Sequence, residues 1–199
     1  MELTLERFDP AVHDAESVAR LIYQADPSLM RFVLGEETEA VPVITRLVGM
    51  KHNDYSGRHV ICAQHGVETV GVMVGLTGAT RRESKKSRGK DWGRALGMRG
   101  MFRAMRYAAK LESVATTEIR DDEYYISALT VDEQHRGRGI GSRLLSEVFW
   151  KHDVVVVDVN TAKGAAIRFY ERHGFVIQKE MTFLHEGKRL GNYQMRRVA

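Results

Sequence analysis

The chain has 199 residues and a formal net charge of +4, with 43% hydrophobic and 28% charged residues, which excludes a disordered or fibrous protein. Its single cysteine, Cys62, excludes a disulfide framework and a cysteine-based zinc site. The longest apolar run, Val154 to Val157, is too short to span a membrane. The N-terminal segment lacks the features of a signal peptide. We therefore expect one cytoplasmic domain over 1–199 with no membrane partner.

The first part of the chain predicts a strand, two helices and a hairpin. Apolar and polar residues alternate over 2–8, which predicts a strand, and Asp9-Pro10 is expected to start a helix with Asp9 as its N-cap. A second helix is expected over about 36–52. Two β-branched runs separated by His65-Gly66 then predict an antiparallel hairpin.

Residues 80–122 contain the most basic part of the chain. The window 81–110 has eleven basic and two acidic residues, a charge of +9. Its first part shows no clear pattern, and a basic amphipathic helix follows, with an apolar face formed by Met98, Met101, Phe102 and Met105. We favour a solvated basic face whose apolar side packs on the body or on a second subunit, which is compatible with a homodimer. An acidic substrate remains an alternative.

Nucleic acid and an anionic membrane surface are further alternatives for this window. Since no aromatic residue interleaves with the basic cluster at 81–90, single-stranded nucleic acid is poorly supported as a partner, and we expect none. Membrane binding would require the apolar face to be exposed.

The second part of the chain predicts alternating strands and helices. We expect a strand over 123–131, a helix after a glycine-rich turn, a buried strand over 153–160, and a helix that Gly174 ends. Two strands around Glu186-Gly187 close the chain. The strand–helix–strand unit implies a parallel pair, and the hairpins imply antiparallel pairs. The expected fold class is therefore α/β, with a mixed, mostly antiparallel sheet and helices on both faces.

The glycine-rich turn is the densest functional signal. Three glycines at alternate positions allow the backbone to approach a ligand closely, and the following helix presents free N–H groups at its start. Two arginines add positive charge. This pattern indicates an anion-binding loop, most readily for a phosphate or pyrophosphate, that comprises Arg136, Gly137, Arg138, Gly139, Ile140, Gly141 and Ser142.

Two common phosphate-binding motifs fit this loop poorly. No GxxxxGK[ST] string is present, which excludes a Walker A loop. A dinucleotide-binding fold would explain Asp158 as a ribose-binding acid. That fold, however, requires the spacing GxGxxG directly after a strand, whereas the spacing here is GxGxG and residues 132–136 separate the strand from the first glycine. The eight histidines never fall in zinc-ligand spacing, so we expect no metal.

Residues 131–145, VDEQHRGRGIGSRLL, resemble motif A of the GNAT N-acetyltransferase superfamily, whose pattern is Q/R-x-x-G-x-G/A. A later motif of that family is matched by Asn160 and by AAIRFYERHGF at 165–175. The close resemblance covers about 123–177, and the order of elements extends it more loosely over the chain. It implies a GNAT (acyl-CoA N-acyltransferase) fold, in which 80–122 is a helical insertion between strands 3 and 4.

The resemblance also implies acetyl-CoA as donor and a primary amine as acceptor, with direct attack in a ternary complex. The glycine loop suits the CoA pyrophosphate, and the basic window could contact its 3′-phosphate. Tyr170 matches the tyrosine that protonates the leaving thiolate in many members. The other residues implied in the CoA site are Leu129, Thr130, Val131, Asn160 and Phe169.

An amine acceptor is protonated at neutral pH, because its pKa is about 10.4, so a general base is expected. Glu123, at the start of the strand before the loop, is the candidate; the alternatives are a water held by Tyr124 and Ser127, or the acidic residues Glu36, Glu37, Glu39 and Glu118. We expect a small-molecule amine as acceptor, with the insertion shaping its pocket. The alternatives are a protein N-terminus or lysine, and a non-catalytic acyl-CoA sensor.

Overall fold

The computed structural model describes residues 3–116, 118–185 and 187–199. Its helices and strands, in chain order, are β1 (Leu3–Arg7), α1 (Ala15–Ala25), α2 (Pro27–Leu34), α3 (Glu37–Val48), β2 (Val60–His65), β3 (Glu68–Thr77), α4 (Gly78–Ser113), β4 (Tyr124–Val131), α5 (Ile140–Phe149), β5 (Val154–Asn160), α6 (Gly164–Arg172), β6 (Val176–His185) and β7 (Lys188–Val198).

The strands form one sheet in the order β1-β2-β3-β4-β5-β7-β6. β4 and β5 are parallel, and the other neighbouring strands are antiparallel. This confirms the mixed, mostly antiparallel sheet. The parallel pairing runs only as far as Ile126 opposite Val157, so the two strands have no ladder between their carboxyl-terminal ends.

Helices cover both faces of the sheet, as the sequence predicts. On one face, α1 and α3 bury Ile22 and Ile44 against Val72 of β3. On the other face, Leu144 of α5 packs in a second cluster with Ile126 of β4. Each such side chain stabilises the fold by about 1.5–3 kcal/mol on burial.

The start of α1 differs from the prediction. Asp14, not Asp9, is its N-cap, because the Asp14 carboxylate accepts a hydrogen bond from the Ser17 N–H at 2.9 Å. The Asp9 carboxylate accepts from the Ala11 N–H at 2.8 Å and forms an isolated turn. Both aspartates precede apolar residues, so the hydrophobic pattern does not distinguish them.

Two further helices differ from the expectation. α2 was not predicted; it starts at Pro27 and is capped by the carboxylate of Asp26, but its eight residues give too few apolar repeats to be recognised. α3 ends at Val48, four residues earlier than expected, and Gly49 caps it.

α4 confirms a helical insertion between β3 and β4, although it begins earlier than predicted. It starts at Gly78, directly after β3, so the residues expected to lack a pattern are helical. Gly97, at φ 63° and ψ −175°, kinks it into two segments. Met98, Phe102 and Met105 are 84%, 76% and 70% exposed, so these residues do not pack on the body, and packing on a second subunit stays a prediction.

Among the described residues, no helix is long and apolar enough to cross a membrane. The organisation of 1–199 as a single domain stays a prediction.

Candidate active site

The glycine loop has the geometry of an anion site. Gly137 and Gly139 both have φ near +76°, a left-handed conformation that favours glycine, and the space around each is open. α5 follows at once, and the Arg143 N–H bonds to the Gly139 carbonyl at 3.0 Å. The N–H groups of 140–142 therefore lie at the open end of the helix, where an anion is stabilised.

Two side chains, Arg136 and Phe169, stabilise the conformation of this loop. Arg136 turns back, and its Nε donates to the Val131 carbonyl at the end of β4 at 3.1 Å. Phe169 of α6 lies under the loop, because a Cβ at Gly141 would come within 3.2 Å of its ring. The arginine and the phenylalanine therefore shape the loop from behind. Both residues were expected in the CoA site, and that assignment stays a prediction.

A β-bulge in β4 lies beside the loop. Val74 faces Ala128 and Gly75 faces Ile126 across the β3–β4 ladder, so Ser127 is the extra residue. The bulge reverses the alternation of the strand: Ile126 packs toward α5, and Ala128, two residues later, packs toward α1 and α3. The Ser127 hydroxyl is buried with no hydrogen-bond partner among the described residues.

A cavity of about 230 Å³ opens where β4 and β5 separate. Its wall includes Ser127, Ala128 and Leu129 from β4, together with Val159 and Asn160 from β5. The anion loop is close to this wall, because a Cβ at Gly141 would lie 3.8 Å from the side chain of Leu129, which lines the cavity.

Tyr170 of α6 also lines this cavity. Its ring is 5% exposed and packs edge-on against Phe169 and Phe175, with centroids 5.2 Å away in each case. Burial raises the pKa of Tyr170 well above its usual value of about 10. The phenol is therefore protonated at neutral pH and can donate a proton.

Asn160 and Lys163 form a polar border of the cavity at the start of α2. The Asn160 amide donates to the Asp26 carboxylate at 3.2 Å, and the Lys163 ammonium donates to the Ala25 carbonyl. Burial lowers the pKa of Lys163, partly offset by the nearby Asp26.

Asp158 of β5 is the centre of a polar cluster on another part of the wall. It accepts hydrogen bonds from the Tyr125 hydroxyl at 2.8 Å, from the Thr116 N–H at 2.8 Å, and from the Thr116 hydroxyl. Burial raises the pKa of Asp158, although these hydrogen bonds oppose the shift. The sequence analysis considered this aspartate only for a ribose and missed the cluster.

Arg81, near the start of α4, completes the cluster. Its Nη1 donates to the Thr116 carbonyl at 2.6 Å, and its guanidinium lies 4.4 Å from the Tyr125 ring centroid. Its Nε lies 3.8 Å from Asp54 Oδ2. The insertion therefore forms part of the cavity wall, through Arg81 at one end and 114–115 at the other.

Glu123 does not have the surroundings of a general base. Its side chain is 1% exposed and accepts hydrogen bonds from Arg196 at 2.5 Å and from the Arg120 N–H at 3.1 Å, with Arg120 Nε a further 2.8 Å ion-pair contact. Burial acts to raise the pKa of Glu123, but these contacts outweigh burial and hold that pKa below its usual range. Glu123 is also absent from the cavity wall as the structure describes it. These contacts favour a structural ion-pair role for Glu123, and its assignment as general base stays an untested prediction.

Of the alternatives named for the general base, some line the cavity and others do not. Ser127 lines the cavity. Absent from the described wall are Tyr124, Glu118 and the acidic residues at the start of α3, Glu36, Glu37 and Glu39. Cys62 is buried in the core, and burial raises its thiol pKa to about 12, so it is not a nucleophile.

Comparison with known proteins agrees with this geometry. A family model described as an acetyltransferase (GNAT) domain matches residues 100–177. The N-alpha-acetyltransferase RimI of Mycobacterium tuberculosis (strain ATCC 25618 / H37Rv) is 42% identical over 55 residues, 27% of this chain. The match spans 35% of the length of that curated relative.

Two solved structures share the fold over nearly the whole chain. The N-acetyltransferase from Staphylococcus aureus Mu50 is 17% identical, with a TM-score of 0.73 and coverage of 97% of this chain and 99% of that one. A GNAT family acetyltransferase from Elizabethkingia anophelis with acetyl-CoA bound is 13% identical, with a TM-score of 0.53 and coverage of 99% and 98%. The predicted resemblance to the GNAT N-acetyltransferase superfamily and the GNAT fold are thereby confirmed.

Proposed function

We propose that the protein is an acetyl-CoA-dependent N-acetyltransferase that transfers the acetyl group to a primary amine of a small molecule by direct attack in a ternary complex. One observation carries the proposal: β4 and β5 separate just before the anion loop, and the cavity at that opening is lined by a buried tyrosine, Tyr170. Such a site fits a long ligand with a pyrophosphate at one end and a reactive thioester at the other.

The described residues fit acetyl-CoA as co-substrate. The N–H groups of the loop, with Arg136 and Arg138 nearby, suit the pyrophosphate. Leu129, Thr130 and Val131 lie beyond the last β4–β5 pair, so their edge toward β5 has no ladder partner and can bond to the pantetheine amides. The thioester supplies an activated acetyl group, and no metal is required by this arrangement.

Tyr170 is the proposed general acid. It lines the cavity beside Asn160 and Leu129, where the sulfur of a bound thioester would lie. Its raised pKa keeps the proton on the phenol until a thiolate forms. The thiolate is then protonated as the C–S bond breaks.

An aromatic cluster favours a small acceptor over a peptide. Phe32 of α2 lies 4.3 Å from Tyr107 of α4 and 5.4 Å from Phe183 of β6, measured between ring centroids. The space beside Phe32 and Phe183 measures only about 20 Å³. These contacts join α2, α4 and β6 and leave little room for an extended peptide chain there.

A peptide or protein N-terminus is the second candidate acceptor, because the curated relative is named an N-alpha-acetyltransferase. The third candidate is a non-catalytic acyl-CoA sensor. We also propose a cytoplasmic location, in keeping with the single, buried thiol.

Steady-state thiol release from acetyl-CoA tests this proposal. The protein is assayed with a panel of small primary amines, with short peptides that have a free N-terminus, and without acceptor. We expect amine-dependent release of CoA. Release with peptides alone would shift the assignment to the second candidate, and bound acetyl-CoA without acceptor-dependent release would favour a sensor.

A further inference from the structure

The cluster around Asp158 is not part of the proposed donor site, and Asp158 lies on the cavity wall. Asp158 is the carboxylate of a strand otherwise made of valines up to Asn160, VVVVDVN. A buried carboxylate is costly unless it is held by donors, and this one is held by Thr116 and Tyr125. The chain therefore maintains an acidic group inside the cavity at a cost in stability.

The hydrogen bonds leave capacity on that carboxylate. Oδ2 accepts from the Thr116 N–H and from the Tyr125 hydroxyl, which uses both of its lone pairs. Oδ1 accepts from the Thr116 hydroxyl, and a second donor can bind its remaining lone pair. Three donors fix the orientation of the carboxyl group, as a proton acceptor in a reaction requires.

The charges around the cluster favour a cation. Asp158 and Asp54 lie near one guanidinium, that of Arg81, and among the described residues in this part of the wall the acidic groups outnumber the basic ones by one. The other titratable groups on the wall are Asp26, Tyr55, Tyr125, Lys163 and Tyr170. An ammonium group is attracted here, and a ligand carboxylate is repelled by the two aspartates.

The volume limits the size of the acceptor. A cavity of about 230 Å³ corresponds to roughly eight water molecules at ~30 Å³ each, and part of it is needed for the thioester.

We infer that Asp158 binds the acceptor ammonium and accepts its proton, and that the acceptor is a small amine without a carboxylate beside the amine. This inference rests on the proposed function. Asp158 takes one proton from the ammonium, and the neutral nitrogen attacks the thioester carbon. As the N–C bond forms and the C–S bond breaks, Tyr170 protonates the sulfur and regains a proton from the new amide nitrogen. Asp158 releases its proton to solvent.

The first test separates proton transfer from a structural role. Asp158→Asn is compared with Asp153→Asn, which removes an exposed carboxylate just before the same strand. The acceptors are ethylamine and 2,2,2-trifluoroethylamine, two amines of similar size, of which only the second is largely neutral at pH 7. We expect Asp158→Asn to lower kcat/KM for ethylamine about 100-fold and for the fluorinated amine several-fold at most, with the affinity for acetyl-CoA unchanged. Equal losses for both amines would overturn the base assignment.

The second test addresses the acceptor class. Wild-type protein is assayed with pairs that differ by one carboxylate: butylamine and norvaline, and tyramine and tyrosine. We expect the amine of each pair to be preferred at least 10-fold. Equal or better use of the amino acids would overturn the inference, as would acetyl-CoA binding with no amine of the panel bound or acetylated. Loss of acetyl-CoA binding itself would instead contradict the proposed function.

Discussion

Arg81 and Thr116 join the two ends of the insertion, because the Arg81 guanidinium donates to the Thr116 carbonyl at 2.6 Å. Arg81 lies in the first turn of α4 and Thr116 lies three residues beyond its end. This hydrogen bond helps to close the long excursion of the chain, together with backbone hydrogen bonds from the Gly78 N–H to the Glu123 carbonyl and from the Ala79 N–H to the Asp121 carbonyl. Thr116 in turn holds Asp158 through its N–H and its hydroxyl. The position of the cavity carboxylate therefore depends on the closure of the insertion.

Arg81→Met is expected to destabilise the protein. The substitution leaves the Thr116 carbonyl and the Asp54 carboxylate without the guanidinium, at a cost of about 1–3 kcal/mol in the free energy of unfolding. Denaturant unfolding measures the loss. Arg82→Met is the matched control, because Arg82 is an exposed neighbour whose described ion pair, with Asp121, lies on the surface. A loss of equal size in both variants would contradict the closing role of Arg81.

Glu123→Gln is expected to affect stability rather than the chemical step. It removes the charge that Arg196 and Arg120 neutralise, and we expect a loss of about 1–3 kcal/mol, below the value for a fully buried pair because both arginines remain accessible to water. Turnover per folded molecule should change less than about threefold. A drop of 100-fold or more in kcat, with normal unfolding, would restore Glu123 as the base.

The ion pairs of Glu123 with Arg196 and Arg120 also predict how the stability of the protein depends on pH. Because the pKa of Glu123 is lowered in the folded protein, its contribution to stability is complete above the unfolded pKa of about 4.3 and is lost as the pH falls through the folded value. The difference in stability between wild type and Glu123→Gln should therefore be largest near neutral pH and shrink below about pH 4. A constant difference across that range would show that the charge is not responsible.

Gly139→Ala is expected to weaken acetyl-CoA binding at least 10-fold. The alanine would be strained at φ +76°, and its methyl group would lie in the open space where the phosphate is expected. Gly187→Ala is the control, because Gly187 has φ +74° in the β6–β7 turn with equally open surroundings. Calorimetric titration of both variants separates ligand binding from backbone strain, and equal affinities would argue against the loop as the phosphate site.

Tyr170→Phe is expected to lower kcat by about 10- to 100-fold and to leave the dissociation constant of acetyl-CoA within twofold, because it removes the proton donor but keeps the buried ring. Tyr107→Phe, which removes a phenol hydroxyl from α4 outside the described cavity wall, should leave both constants unchanged. An unaltered kcat in Tyr170→Phe would contradict its role as general acid.

The exposed apolar stripe on α4, formed by Met98, Phe102 and Met105, is expected to contribute little to the stability of the monomer. Phe102→Ser should change the free energy of unfolding by less than about 0.5 kcal/mol, since Phe102 is 76% exposed. Sedimentation of wild type and variant tests the predicted homodimer. Dimers that dissociate in Phe102→Ser would show that the stripe is the contact surface, and a monomeric wild type would contradict that prediction.

The glycine loop and the strands beside it could be predicted because their signals are local. Gly137 and Gly139 have a left-handed backbone conformation that favours glycine, and the valines of β5 indicate a buried strand without knowledge of its neighbours. The order of the strands, and of the helices other than α2, followed from the same patterns. Together these features were sufficient to recognise the resemblance to the GNAT superfamily and the fold.

The acceptor side of the cavity could not be predicted because long-range contacts determine it. Asp158 is held by Thr116, which lies 42 residues earlier, and Arg81 reaches Thr116 across 35 residues. Glu123 has an acidic neighbourhood in the sequence, yet Arg196, 73 residues away, determines its charge environment. The bulge at Ser127, which reverses the faces of β4, depends on the register with β3 and leaves no mark in the composition of the strand.

Calorimetric titration of the wild-type protein with acetyl-CoA, with NADH as the control ligand, tests the assignment of the loop and cavity most directly. We predict one acetyl-CoA site per chain with a dissociation constant in the micromolar range and no binding of NADH. Absence of acetyl-CoA binding, or equal binding of NADH, would contradict the assignment of the β4–β5 opening as an acetyl-CoA site.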